Sequence, residues 1–243
     1  MSLIADRTRP AAPAGDLLAE SIAQALEADI IFGRLSPGRK LPEEELAERF
    51  SASRHQVREA LARLQRTGIV SKERNKGVSV RSFSAAEVEQ IYEVREIIQR
   101  QAALRIPLPA SRPQIAMIEA VEADYERAVA AGDLRRICET NDRFHVALFA
   151  LCGNAMLAQL VKQYMDLSYV IRANAFNPEH LAVARSEHRM MVALLSGRDS
   201  WALAQLCIDH IQHSKAQYLA FLRLREESAG AAAAAAWPAE AAS

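Results

Sequence analysis

"SASRHQVREALARLQRTGIV", residues 51–70, decides how the chain is read. Val57, Leu61 and Leu64 recur at i, i+4 and i+7, the spacing of a helix with one buried face. Ser53 and Gln56 have the S-x-x-Q spacing of a capping box, so this helix is expected to begin near Arg54, and Gly68 to end it. Yet Arg54, His55, Gln56 and Arg58 crowd its first turns. A helix N-terminus favours negative charge, because its dipole and unpaired N–H groups are already positive. Cations there cost stability unless something outside the chain neutralises them.

The flanking sequence supplies a context. Residues 1–15, ending "RPAAPAG", lack apolar periodicity and read as a flexible arm. From Asp16, an N-cap candidate, "LLAESIAQALEADIIF" repeats Leu and Ile at helical spacing until Gly33. "LSPGRKLP" is a turn with Pro42 at a helix start, and "EEELAERF" is a short helix. After Gly68 the period changes: "IVSKE" and "GVSVR" alternate in polarity around "RNK", which predicts a two-stranded hairpin. Helix, short helix, basic helix and hairpin across 16–82 describe a winged helix-turn-helix. Its second helix-turn-helix segment would enter the major groove of double-stranded DNA by its N-terminal residues. Arg54 and Arg58 lie one turn apart, and an arginine can grip guanine O6 and N7 together. His55 and Gln56 are further base-edge candidates; Lys72, Arg74, Asn75 and Lys76 fall at the hairpin tip. A charge run also suits a solvated face; the ordered pattern as a whole favours DNA.

Charge is distributed to match. The chain of 243 residues has 30 Lys and Arg against 30 Asp and Glu. Residues 1–82 hold 14 basic against 11 acidic residues (+3), leaving 16 against 19 (−3) elsewhere; within 54–81 the balance is 8 against 2 (+6). A basic patch on a neutral protein suits attraction to phosphate. Cys138, Cys152 and Cys207 are too widely spaced for a disulfide framework. No apolar run is long enough to span a bilayer, and no signal-peptide core is present at the start. A cytoplasmic protein without a membrane partner is expected.

Residues 83–228 carry no strand signal, so the fold class is mainly α, a winged helix-turn-helix followed by an all-helical bundle. Ser84 and Glu87 form a second capping box opening "AAEVEQIYEVREIIQRQAALRI". Further helices are expected at about 112–131, 133–151, 154–174, 179–196 and 199–225, punctuated by Gly132, Gly153 and Gly197. The Ala-rich tail 229–243 has no stripe to bury and is expected to be disordered. Of six histidines, His145, His188 and His210 lie in separate helices. Facing helices in a bundle collect metal ligands this way, although isolated histidines are also common in cores and on surfaces. Asn141 and Asp142, four and three residues before His145, share its helix face. Ile91, Val94 and Ile98 form an apolar stripe with Arg95 at its edge, and an arginine partly inside a bundle needs an anion.

Residues 30–80 closely resemble the DNA-binding domain of the GntR family of bacterial transcription regulators. The marks are "G-x-L-x-P-G-x-x-L", "ELAE", "SR-x-x-VREAL-x-RL" and Gly77. The resemblance implies Arg54 and Arg58 as principal readers, Ser53 on phosphate, and Gly77 in the wing. His55 and Gln56 stand where these proteins often have Thr and Pro. Glu44 replaces an arginine that some members use, so that contact is expected to be absent.

Residues 84 to about 225 resemble the FCD ligand-binding domain of the family's FadR-like branch. The marks are "IYEVREIIQRQAA", "F-H-x-A-L-x-x-x-x-GN" at 144–154, "EH" at 187–188 and "GR-D-x-W-A" at 197–202. That domain implies an Asp and three His around a divalent metal, carried onto His145, His188 and His210. The first position, 141, is Asn here, whose amide oxygen can ligate without bringing charge. Zn²⁺, Ni²⁺ or Mn²⁺ suits such a donor set. Asp142 reads as an exposed acid beside Arg143. The resemblance also implies Arg95 as the partner of an effector carboxylate; Tyr92, Arg172 and Asn174 are weaker cavity candidates that suit a surface or core-edge position equally. The function so implied is a homodimeric regulator, expected to be a repressor and not an enzyme, binding operator DNA and responding to a small organic acid. The competing expectations are a metal-dependent hydrolase, and the same regulator with no metal.

Overall fold

In the computed structural model, which describes residues 14–31, 33–73, 77–173 and 178–235, the stripe of the basic helix is buried. Helix α3 (Arg54–Arg66) packs Val57, Leu61 and Leu64 against Ile22 and Leu26 of α1 (Ala14–Ile31) and Leu46 of α2 (Glu43–Arg49). The capping box is formed: Gln56 N donates to Ser53 Oγ at 3.3 Å, and Ser53 N donates to Gln56 Oε1 at 2.9 Å. Strands β1 (Val70–Glu73) and β2 (Gly77–Val80) pair antiparallel, from Val70↔Val80 to Glu73↔Gly77. Gly77 has φ 83°, a left-handed conformation that glycine adopts without Cβ strain. The segment before α2 joins this ribbon, since Lys40 bridges Ser79 and Leu41 N donates to Val78 O at 2.8 Å. The expected winged helix-turn-helix is therefore present. Its first helix starts earlier than expected: Asp16 lies inside the first turn of α1 and pairs with Arg63 of α3. Arg74, Asn75, Lys76 and Asn174 lie outside the described residues.

The second unit is helical among the described residues: α4 (Ala85–Leu104), α5 (Arg112–Ala131), α6 (Leu134–Ala150), α7 (Ala155–Leu167), α8 (Tyr169–Ala173), α9 (Pro178–Leu195) and α10 (Ser200–Ala235). Ser84 caps α4 with Glu87 as expected. α10 packs along α4, and α5 along α6, around a core that includes Ala102, Ile118, Phe144, Leu148, Met191 and Leu203.

Two expectations need correction. The single helix expected over 154–174 breaks at Ser168, whose hydroxyl donates to the carbonyls of Tyr164 (2.8 Å) and Met165 (3.2 Å). Such back-bonding competes with the regular backbone ladder. The tail is not irregular from residue 229, because α10 continues to Ala235. Alanine has the highest helix propensity, and extending an existing helix carries no nucleation cost. Residues 236–243 lie outside the described set. No helix among the described residues is long and apolar enough to cross a membrane.

Candidate nucleic-acid interface and metal centre

Arg54 and Arg58 project from the start of α3 with 62% and 65% of their side-chain surface exposed. Both meet acids from the first turn of α2: Arg54 pairs with Glu44, and Arg58 Nε donates to Glu43 Oε2 at 2.6 Å. Glu44, expected only to lack a DNA contact, is the partner of Arg54. His55 is exposed, whereas Ser53 and Gln56 satisfy each other in the cap. Gly77 and Lys72 lie across a groove from Glu43, Glu44 and Arg54.

Inside the bundle, α6, α9 and α10 bring His145, His188 and His210 together, with one ligand atom of each within 4.8 Å of the others. His145 Nε2 lies 3.1 Å from His210 Nε2. The other ring nitrogens face carboxylates: His188 Nδ1 is 3.1 Å from Glu122 Oε2, and His210 Nδ1 is 2.6 Å from Glu187 Oε2. Such carboxylates fix the tautomer and orientation of a metal-binding histidine. Phe144 stacks on His188 with centroids 4.1 Å apart. His188 Nε2 is buried and has no partner among the described residues. Burial pushes His188 down to about 3, His210 down to about 4 and His145 well below its ordinary value. All three are therefore neutral near pH 7, the state a metal ligand requires. Burial raises the Glu122 carboxyl to about 8, with nearby Glu126 adding to the effect.

His145 and His210, but not His188, border a small cavity of about 30 Å³, also lined by Asn141, Arg95, Arg172 and Tyr125. Arg95 is 2% exposed; its guanidinium lies 4.9 Å over the Tyr92 ring, and its Nε and Nη1 have no partner among the described residues. Burial pushes it down to about 10. Arg172 donates to Asp142 at 2.5 and 3.3 Å and to Met165 O at 3.1 Å. Asp142 is thus half-buried on a cavity arginine, not an exposed acid beside Arg143, which turns to Asp124. Tyr92 is buried beneath Arg95, with its hydroxyl 2.8 Å from Ser214 Oγ. Glu122, Glu187, Tyr125 and His180 were missed in the sequence. Of these, only Glu187, in the "EH" pair, had a local signal.

The FCD domain model matches residues 90–213, just over half of the chain, and the gntR family of bacterial regulatory proteins matches residues 18–80. The chain belongs to the GntR family. A regulator from Bacillus subtilis, YdhC, an uncharacterized HTH-type transcriptional regulator, is 26% identical over 186 residues, covering 76% of this chain and 83% of that protein. The Nta operon transcriptional regulator of Aminobacter aminovorans is 28% identical over 190 residues, covering 77% and 88%. A solved GntR regulator from Rhodococcus sp. RHA1 superposes with a TM-score of 0.57 at 23% identity, covering 83% of this chain and 97% of that one, and shares the fold. This GntR protein is a DNA-binding transcriptional regulator with an FCD domain and not an enzyme, which removes the hydrolase alternative. FCD domains can bind metal. The residues here fit one: three neutral imidazoles converge, one with a buried unsatisfied nitrogen, and Asn141 borders the cavity that His145 and His210 line.

Proposed function

We propose that this regulator is a homodimeric repressor whose operator affinity is set by a small carboxylate bound beside a divalent metal. His145, His188 and His210 would hold the ion, with Asn141 as a neutral fourth donor. Zn²⁺ or Ni²⁺ suits three imidazoles better than Mn²⁺, which prefers more oxygen. When bound, the ion supplies a Lewis-acidic seat for a carboxylate oxygen. Arg95 supplies the second seat, and this is the observation that carries the reading: a buried guanidinium with unsatisfied N–H groups borders the same cavity as His145 and His210. Buried cations left unpaired are costly, and a carboxylate offers the fork-shaped partner that guanidinium favours. A cavity of about 30 Å³ favours the smallest acids, or larger ones that displace a wall.

At the other end, Arg54, Arg58 and His55 meet base edges, while Ser53, Lys72 and the wing at Gly77 and Lys76 meet the backbone. A dimer would place two such helices in successive major grooves of an inverted repeat.

Selection of bound sequences from a random duplex library, using the full chain, tests the DNA half; an inverted repeat is expected. Thermal melting with Zn²⁺, Ni²⁺ or Mn²⁺ alone, then with a panel of small carboxylates, tests the ligand half, because ligands that bind only the folded state raise Tm. The ion is expected to raise Tm and one acid to raise it further and weaken operator binding. Metal-free protein by elemental analysis, with no shift on adding ions, would contradict the metal role.

A further inference from the structure

The two arginines that head α3 are not free cations. Each is tied to an acid of α2, and the ties leave part of each guanidinium open. Glu43 takes Nε of Arg58, leaving its two terminal amino groups; Glu44 takes Nη2 of Arg54, leaving its Nη1 and Nε. Both arginines remain mostly exposed. Glu43 and Glu44 are themselves well placed, because acids in the first turn of a helix complement its dipole. Lys40 and Lys72, which border the same groove of about 380 Å³, have no ion pair among the described residues. The groove therefore presents bare lysines beside the acid-backed Arg54, and the acid-backed Arg58 lies one turn further along α3.

We infer that Glu43 and Glu44 are specificity-determining residues that reserve Arg58 and Arg54 for base edges and hold them away from phosphate. This rests on the reading of Arg54 and Arg58 as groove readers. A guanine edge is neutral overall and accepts two hydrogen bonds from the open side of a guanidinium whose other side stays on its carboxylate. A phosphate brings a full negative charge to within a few ångströms of that carboxylate, and the two repel. Non-specific binding comes almost entirely from phosphate neutralisation and counterion release, so it loses more from the acids than operator binding does. Discrimination is built here partly by penalising the wrong partner. The carboxylates also hold two flexible side chains in place before contact, reducing the ordering cost on binding.

The test uses the full-length protein with Glu43→Gln, Glu44→Gln and the double variant, each keeping the side-chain shape and a weaker hydrogen bond. Affinities for a selected operator duplex and for a scrambled duplex of equal length are measured at several salt concentrations. The double variant is expected to bind scrambled DNA about tenfold or more tightly, with a steeper salt dependence. Operator binding is expected to change by only about two- to threefold, so the specificity ratio collapses. Equal shifts on both duplexes, or no gain on scrambled DNA, would overturn the inference. Arg54→Ala and Arg58→Ala are run beside them: if these lose operator affinity while the Glu variants keep the ratio, the acids have no such role and the groove reading stands. If the arginine variants bind operator normally, the groove reading itself has failed. Matching circular dichroism and Tm show that every variant is folded.

Discussion

Tyr169 of α8 donates its hydroxyl to Glu27 of α1 at 2.7 Å, joining the FCD domain to the first helix of the DNA-binding domain. Arg172, one turn further along the same five-residue helix, lines the histidine cavity and lies 5.7 Å over the Tyr169 ring. Ala173 and Cys138 pack on Ile31 beside this bond. A carboxylate that drew Arg172 away from Asp142 would therefore act on a helix that touches both domains. Two sites count as coupled when a shared element has different contacts in each state, and α8 is placed to be that element.

Tyr169→Phe removes the interdomain hydrogen bond and leaves the ring. A hydrogen bond to a charged group contributes about 1.5–3 kcal/mol. Amide exchange in α1 and α8 is expected to quicken, while metal affinity stays within about twofold. Unchanged exchange in α1 would show that this bond does not hold the domains together.

Asn141→Asp restores a charged donor beside the three histidines. Metal affinity is expected to rise roughly tenfold or more, equivalent to about 1.4 kcal/mol per tenfold, with Mn²⁺ gaining most because it prefers charged oxygen. Isothermal titration with each ion measures this. Identical affinities for the two proteins would mean that residue 141 does not ligate.

Glu187→Gln removes the carboxylate on His210, and Glu122→Ala removes the carboxyl group on His188, so each leaves its imidazole in place but weakens what orients it. Metal affinity is expected to fall about 10–100-fold in each. Competition with a chromogenic chelator reads this out. A loss in one variant alone would assign the orienting role to that histidine's partner alone.

Metal-free protein, kept in chelator, has a defined pH response. His188, His210 and His180 are held down to about 3, 4 and 4, below the ordinary value of 6.5. Between pH 6.5 and 4 the unfolded chain therefore binds more protons, and stability falls as pH falls through that window. Glu122, raised to about 8 from 4.5, acts the other way: the folded state keeps its proton, so stability falls as pH rises from 4.5 to 8. Several histidines outweigh one carboxyl below pH 6.5, so Tm is expected to peak near pH 6.5. A Tm that climbs steadily from pH 6.5 to 5 would contradict these assignments.

What could be read in the sequence was what depends on local spacing. The boxes Ser53–Gln56 and Ser84–Glu87 are complete within four residues, and the structure forms both. Helix α3 with its buried stripe, the hairpin, and the placing of His145, His188 and His210 on three helices follow from periodicity. Partners supplied by tertiary packing could not be read. Glu122 reaches His188 only because α5 packs on α6 and α9, and Asp142 holds Arg172 across 30 positions. The break at Ser168 depends on one hydroxyl turning back on its own helix, in a stretch whose apolar period is unbroken. The acids on Arg54 and Arg58 stand in the short helix "EEELAERF", but their pairing with the arginines required the angle between α2 and α3.

Operator recognition, as proposed, depends most on the arginines at the start of α3 meeting DNA bases. The most direct measurement is the affinity of Arg58→Ala for the selected operator and for operators with single base changes, by anisotropy at fixed salt. The prediction is a loss of about 1–3 kcal/mol, roughly 5- to 150-fold, together with relaxed discrimination at one base pair in each half-site. Unchanged affinity and unchanged base preference, in a variant that melts like the parent, would contradict it.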